Sequence, residues 1–140
     1  MPAHQRSLTF ENEIDSESVV ETDPDQLRIV VSNLLSNAAT YTAPGGTIRV
    51  SGGQANAHPD LLLAVLDTGP QIPDDLLPLI FNRFVRGDAT RSAGIHCGIG
   101  LALVRGVSEA MGLDVVAENT TDGGVSFAVN RRARAHYFGG

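Results

Sequence analysis

Two stretches of the chain carry apolar residues at the spacing of an α-helix. The first begins at Asp23-Pro24, where Asp23 suits the N-cap and Pro24 the first turn, and it continues to about Tyr41. The second runs from Ile99 to Met111. In the first stretch, the residues that share one helical face are Leu27, Val30, Val31, Leu34, Leu35 and Ala38. Both stretches predict helices that must bury an apolar face.

Shorter segments show the alternation or the continuous apolar character of β-strands. The predicted strands are Ser7–Ile14, Val19–Val20, Thr47–Ser51, Leu61–Leu66, Val115–Ala117 and Val125–Val129. Alternation in Ser7–Ile14 predicts a half-buried strand, whereas Leu61–Leu66 is apolar on both faces, as is typical of a central strand. Asp122-Gly123-Gly124 predicts a hairpin turn before the last strand. Because strands and helices interleave until the final two strands, the pattern favours a mixed sheet with its helices layered on one face.

Two less regular segments lie between the central strand and the second helix. A short helical segment is predicted from Pro73 to Phe84, with an interruption at Pro78. Val85–Cys97 has few apolar residues and is long enough to be a functional loop rather than a simple connector.

Composition and charge narrow the class of protein. A chain of 140 residues is expected to form a single domain over residues 1–140, with flexible ends at residues 1–6 and 131–140. Its 10 Lys and Arg against 16 Asp and Glu give a net charge of −6, which argues against a nucleic-acid partner. The single Cys cannot form an internal disulfide. Because no apolar run is long enough for a signal peptide or a membrane span, we expect a cytoplasmic domain with no direct membrane contact.

Asn33 and Asn37 are the first candidate functional residues along the chain. They are one helical turn apart, at the margin of the apolar face of the first helix. Two amide side chains in register offer carbonyl oxygens to a hard cation such as Mg²⁺, which prefers oxygen ligands and is often bound together with phosphates. The alternative is that both side chains form hydrogen bonds between the helix and a neighbouring loop.

Two further candidates follow the central strand and precede the second helix. Asp67-Thr68-Gly69 places a carboxylate, which can accept a hydrogen bond from an exocyclic amine, beside a glycine that lets a flat ligand approach the backbone. The alternative is an ordinary turn at the end of a strand. The glycines of Gly94–Leu101 lead into a helix, whose free N–H groups and positive dipole end can hold phosphate.

The order and spacing of these segments resemble the N, G1, F and G2 boxes of the sensor histidine kinase ATP-binding domain. That domain belongs to the wider family of gyrase, Hsp90, histidine kinase and MutL ATPases. The matching segments are Asn33-Leu34-Leu35-Ser36-Asn37-Ala38, Asp67-Thr68-Gly69, Ile80-Phe81-Asn82-Arg83-Phe84-Val85-Arg86 and Gly98-Ile99-Gly100-Leu101-Ala102-Leu103. The resemblance extends from about Asp23 to Val129. It implies an α/β two-layer sandwich, with a mixed, mainly antiparallel sheet of about five strands, three helices on one face and a flexible ATP lid.

The resemblance also implies roles for individual residues, with ATP and Mg²⁺ as cofactors. Asn37 would coordinate the Mg²⁺ that bridges the phosphates, and Asn33 and Arg86 would be the catalytic residues. Asp67 would bind the adenine amino group, and Tyr41 would lie along the adenine and ribose. The remaining implied contacts are Gly69 and Ile72 at the adenine pocket, Gly98 and Gly100 at the phosphates, Leu101 at the wall of the site and Ser126 near adenine.

Three positions depart from the pattern of this family. Gln71 and His96 stand where glycines are usual, in the G1 box and in the lid respectively. A positive φ at Gln71 would strain its backbone. Thr40 replaces the Lys that often precedes the residue corresponding to Tyr41.

The function implied by the resemblance is that of a protein-histidine kinase in a two-component phosphorelay. Such a domain binds Mg-ATP and transfers the γ-phosphate to a histidine on a dimerisation and phosphoacceptor domain, which in turn serves a response regulator. None of the 4 His residues here lies in the sequence context of an acceptor histidine. The acceptor would therefore belong to another part of a longer chain or to a separate polypeptide, and a membrane tether would require a sensor portion outside this sequence.

Two alternatives to this function are retained. The domain could be a degenerate nucleotide-binding or protein-docking module, to which the departures at Gln71 and His96 point. It could also be an anti-sigma-type serine kinase of the same superfamily. Because dimerisation in histidine kinases belongs to the acceptor hairpin, the chain itself is expected to be a monomer.

Overall fold

The computed structural model describes residues 7–14, 22–52, 60–82, 99–121 and 123–132. In these ranges the chain forms five strands and two α-helices. The elements are β1 (Thr9–Glu13), α1 (Pro24–Tyr41), β2 (Thr47–Gly52), β3 (Leu61–Asp67), α2 (Ile99–Ala110), β4 (Leu113–Asn119) and β5 (Val125–Arg131). The strands form one sheet in the order β1-β2-β3-β5-β4, in which β1 pairs parallel to β2 and all other pairs are antiparallel.

Helix α1 begins and ends at residues whose side chains bind its free backbone groups. The Asp23 carboxylate accepts hydrogen bonds from the backbone N–H groups of Asp25 and Gln26, at 2.9 and 3.2 Å. At the other end, the Thr42 hydroxyl donates to the Ala38 carbonyl oxygen at 2.7 Å. The predicted N-cap and the predicted end near Tyr41 are both confirmed. One face of the helix is fully buried at Val30, Leu34 and Ala38.

Helix α2 packs against α1 and buries one face of its own. Leu101, Val104 and Ser108 are at most 3% exposed, and their spacing of three and four residues places them on one side of the helix. The helix ends at Ala110, and Gly112 follows with a φ of +77°, a conformation that favours glycine.

Strand β3 lies in the middle of the sheet, between β2 and β5, as its continuous apolar sequence predicts. Its central residues Leu63, Ala64 and Val65 are all buried, so both faces of the strand are covered. The β4–β5 hairpin turns through Gly123 and Gly124, which both have positive φ, as the Asp-Gly signal predicts. Because β5 extends to Arg131, the regular structure reaches one residue into the segment predicted to be a flexible end.

Two helices and the sheet enclose one hydrophobic core, and this two-layer arrangement confirms the predicted fold class. The fully buried side chains of Leu34, Val65, Val104 and Phe127 come from both layers. Phe81 packs edge-on against Phe127, with ring centroids 6.1 Å apart and planes at 90°. Neither α-helix in the described ranges has the length and apolar character needed to cross a bilayer.

The structure differs from the sequence predictions at two elements. Strand β1 is less buried than expected, since Phe10 is 56% exposed at the edge of the sheet. The predicted short helical segment is a 3-10 turn at Leu77–Leu79 that contains Pro78, which lacks a backbone N–H and disfavours a longer helix. The described residues therefore hold two α-helices and this turn in place of three helices. The predictions for Val19–Val20 and for the lid at Val85–Cys97 lie outside the described residues.

Candidate functional site

A cleft of about 280 Å³ opens between the C-terminal half of α1 and the start of α2. Most of its lining comes from one side of α1, where residues four apart lie above one another. The lining residues are Asn33, Ser36, Asn37, Thr40, Tyr41, Gly100 and Leu101. The structure thus brings together five of the predicted site residues, Asn33, Asn37, Tyr41, Gly100 and Leu101, and adds Ser36 and Thr40.

Asn33 shows how the two helices face each other across the cleft. Its Nδ2 donates to the Ile29 carbonyl oxygen at 2.7 Å, within its own helix. Its Oδ1 lies 3.7 Å from the position that a Cβ on Gly100 would occupy. Gly100 is in the first turn of α2, where backbone N–H groups have no partner within the helix. The cleft therefore combines amide oxygens from α1 with backbone donors and the positive dipole end of α2.

Ser36 and Thr40 add hydroxyl groups to the same wall of the cleft. The Thr40 hydroxyl donates to the Ser36 carbonyl oxygen at 2.9 Å. Ser36 was not among the predicted site residues, although its spacing of three residues from Asn33 and four from Thr40 is a signal that could have identified it.

Asp67 ends β3 and is 7% exposed. Its Oδ1 accepts a hydrogen bond from the backbone N–H of Gly69 at 2.8 Å. Burial raises the pKa of the Asp67 carboxyl above its usual value, although hydrogen bonds from the backbone N–H groups of Gly69 and Val125 oppose the rise. Burial removes most of the water that would otherwise hydrogen-bond to the Asp67 carboxylate. A ligand group that donates a hydrogen bond to this carboxylate would therefore compensate for the lost hydration.

The turn that contains Asp67 contacts α1 at Tyr41. A Cβ on Gly69 would lie only 2.7 Å from the Tyr41 carbonyl oxygen and 3.1 Å from Asp67 Oδ1, so this close approach requires glycine. Asp67 and Gly69 therefore lie beside the C-terminal end of α1, but neither they nor Ile72 line the cleft, and Asp67 lines a second pocket of about 220 Å³.

Residues that follow this turn are held by the end of β4. The Asn119 side chain accepts a hydrogen bond from the Ile72 backbone N–H at 2.8 Å and donates to the Ile72 carbonyl oxygen at 2.7 Å. Gln71 Nε2 donates to the Thr120 carbonyl oxygen at 2.7 Å. In the described part of the chain Ser7 is the only non-glycine residue with a positive φ, so Gln71 is not strained in the way that replacement of a glycine could have caused. Sequence reasoning missed Asn119, for which the spacing of residues offers no signal.

Ser126 does not join the other predicted site residues. Val125 and Phe127, its neighbours in β5, are buried on the face of the sheet that the helices cover, and alternate side chains of a strand point to opposite faces. Ser126 therefore points away from the helices. Val125, which pairs with Asp67 across the strands, is the β5 residue beside that carboxyl. Arg86, His96 and Gly98 lie outside the described residues.

The cleft contains oxygen ligands but no cluster of metal-binding side chains of the usual kind. Within the described ranges, His, Cys, Asp and Glu nowhere come together in a group of three that could hold a metal ion. A divalent cation at this site would therefore depend on the amide oxygens of α1 and on oxygens supplied by its ligand, a donor set that suits Mg²⁺.

Comparison with known proteins places these features in one family. Residues 22–133 match the model of the histidine kinase-, DNA gyrase B- and HSP90-like ATPase family. The signal transduction histidine-protein kinase AfsQ2 of Streptomyces coelicolor is 34% identical over 119 residues, which are 84% of this chain and 22% of that protein. The chain thus spans about a fifth of the length of this curated relative.

Solved structures show the same fold. The catalytic domain of histidine kinase ThkA, in a nucleotide-free form, superposes with a TM-score of 0.74 at 26% identity, covering 92% of this chain and 82% of that one. Full-length ShkA, solved in complex with AMPPNP, superposes with a TM-score of 0.71 at 26% identity, covering 95% of this chain and 28% of that one.

Proposed function

Because the chain belongs to the histidine kinase-, DNA gyrase B- and HSP90-like ATPase family, we propose that it binds Mg-ATP in the cleft between α1 and α2 and acts as the catalytic part of a sensor histidine kinase. It would transfer the γ-phosphate to a histidine on a separate dimerisation and phosphoacceptor domain. The observation that carries this proposal is the position of Asn33 Oδ1 opposite Gly100, which unites the amide oxygens of α1 with the free N–H groups of α2.

The two ends of the cleft suit the two ends of the nucleotide. Beyond the Tyr41 end of the cleft, Asp67 would be a buried acceptor for the adenine amino group, beside Gly69 and the C-terminal end of α1. At the other end, backbone N–H groups at the start of α2 suit the phosphates. The complex of ShkA with AMPPNP supports an adenine nucleotide as the ligand of this fold.

Asn37 is the residue that would hold Mg²⁺, with Asn33 one turn before it on the same wall. When bound, Mg²⁺ supplies charge neutralisation at the phosphates. Arg86 and Gly98, which lie outside the described residues, would add a cation and a further backbone donor at the same groups. Tyr41 and Leu101 would exclude water from the nucleotide.

The reaction places few chemical demands on this chain beyond positioning. A nitrogen of the acceptor imidazole attacks the γ-phosphorus, the bond from that phosphorus to the bridging oxygen breaks, and ADP leaves with the bonding electron pair. No general base is required of this chain, because the imidazole is itself the nucleophile.

Calorimetric titration with Mg-ATP tests the nucleotide site. The wild-type chain should show saturable binding, and Asn37→Ala should weaken it by about tenfold or more, because a ligand of the cation is lost. Ser32→Ala is the matched control, since Ser32 is an exposed polar residue of the same helix that does not line the cleft. Absence of binding at millimolar nucleotide would reject the site and favour a protein-docking module.

Transfer of label from [γ-³²P]ATP tests the catalytic step. We expect phosphohistidine on a supplied acceptor hairpin from a related kinase and no labelling of the isolated chain. A phosphoserine product would instead indicate a serine kinase of the same superfamily.

A further inference from the structure

The loop after β3, residues Thr68–Ile72, is here called the adenine loop because it follows Asp67 and because the family resemblance implies that Ile72 contacts adenine. At its start, Thr68 pairs with Thr47 through two hydrogen bonds of 2.9 and 3.1 Å, so this end is attached to β2. Its far end leaves the sheet. The backbone groups of Ile72 must find partners there, because unpaired backbone groups in a partly buried position are costly.

Asn119 supplies both of those partners. Its side-chain amide pairs with the Ile72 peptide as a neighbouring strand would, through one accepted bond of 2.8 Å and one donated bond of 2.7 Å. Both bonds are partly shielded from solvent, which strengthens them relative to exposed bonds. Residues 72 and 119 are 47 positions apart in the chain, so this contact depends on the tertiary fold.

The adjoining residues reinforce the same connection. Gln71 Nε2 donates to the Thr120 carbonyl oxygen at 2.7 Å, at an exposed position. The turn that follows Asn119 closes through the Thr120 hydroxyl, which donates to the Gly123 carbonyl oxygen at 2.9 Å, and through the Thr120 N–H bond to Gly124. The residue that follows Asn119 is therefore itself held by hydrogen bonds to Gly123 and Gly124.

We propose that Asn119 is a positioning residue for adenine recognition, which acts by holding Ile72 at a defined distance from Asp67. This inference rests on the proposed function, because it concerns the base-binding half of the same nucleotide site. Asn119 bonds to Ile72 in the adenine loop and does not line the cleft, where the start of α2 is proposed to hold the phosphates. Its removal should therefore weaken contacts with the base and leave contacts with the phosphates intact.

The test compares Mg-ATP with Mg-tripolyphosphate, which has the phosphate chain but no base. Titrations are made on the wild-type chain, on Asn119→Ala and on Gln71→Ala, which removes only the exposed bond. Asn130→Ala is the matched control, since Asn130 is also a half-buried asparagine of the sheet but pairs with Leu61 and Asp114, far from the adenine loop. Thermal unfolding of each variant is measured in parallel.

We expect Asn119→Ala to raise the Kd for Mg-ATP by at least about tenfold and to change the Kd for tripolyphosphate by less than about twofold. Gln71→Ala should produce a smaller change in the same direction, and Asn130→Ala none. An Mg-ATP affinity within twofold of wild type for Asn119→Ala, or an equal loss for both ligands, would overturn the inference. Failure of the wild-type chain to bind Mg-ATP would instead reject the proposed function itself.

Discussion

Gly124 packs directly against the backbone of Asp67. A Cβ on Gly124 would overlap the Asp67 carbonyl oxygen and would lie 3.1 Å from Thr68 Cα. Gly124 also has a φ of +102°, which residues with a side chain rarely adopt. The hairpin turn between β4 and β5 and the end of β3 therefore fit together only because residue 124 has no side chain.

Gly124→Ala should lower the free energy of unfolding more than Gly123→Ala does. Gly123 has a similar φ of +90°, but an added Cβ there meets nothing within 4 Å. We expect a loss of about 1–2 kcal/mol from the backbone conformation at either site and about 1–3 kcal/mol more at Gly124 from overpacking. Urea denaturation of both variants measures the difference. Equal losses would show that the contact with Asp67 is unimportant for stability.

The buried Asp67 carboxyl should make stability depend on pH. Because its pKa is raised in the folded protein, folding favours the protonated form, and this contribution to stability is lost as the pH rises through the folded pKa. Asp67→Asn should therefore gain stability relative to wild type as the pH increases from about 4 to 7. Urea denaturation at several pH values measures this gain, with the exposed Asp74→Asn as the control. A constant difference across the range would contradict the assignment.

Asp67→Asn should weaken binding of the proposed ligand, although it favours the stability of the folded protein at higher pH. An amide at residue 67 presents a donor where the adenine amino group also donates, so Asp67→Asn should weaken Mg-ATP binding by about tenfold or more. In the wild-type chain, Mg-ATP affinity should fall as acid protonates Asp67. Calorimetry at pH 7 checks the first effect. Unchanged affinity of Asp67→Asn would place the adenine amino group elsewhere.

Ser108 should be a position at which the protein can be stabilised. Its hydroxyl is fully buried on α2 and has no hydrogen-bond partner among the described residues. An unpaired buried polar group costs about 1–3 kcal/mol, so Ser108→Ala should raise the free energy of unfolding by about 1 kcal/mol. Thermal and urea denaturation measure this change. Ser32→Ala, at an exposed site, should have little effect, and a destabilised Ser108→Ala would indicate that the hydroxyl is bonded in solution.

Much of the fold was predictable because its signals are local. Asp23 and Pro24 mark the start of α1, the periodic apolar residues mark its buried face, and the glycines at 123 and 124 mark the last turn. The exposure of Phe10 was not predictable, since it results from the position of β1 at the edge of the sheet. The face of the sheet to which Ser126 points was not predictable either. Its neighbours Val125 and Phe127 are buried beneath the helices, so Ser126 points to the opposite face.

The sequence alone determined the wall of the cleft, because Asn33, Asn37 and Tyr41 share one side of a helix through a spacing of four residues. Only the tertiary structure decided what faces that wall and what supports the adenine loop. Gly100 is 67 residues beyond Asn33, and Asn119 is 47 residues beyond Ile72. Contacts between such distant positions depend on how the helices pack and on which strands pair, and these are properties of the whole core rather than of any local pattern of residues.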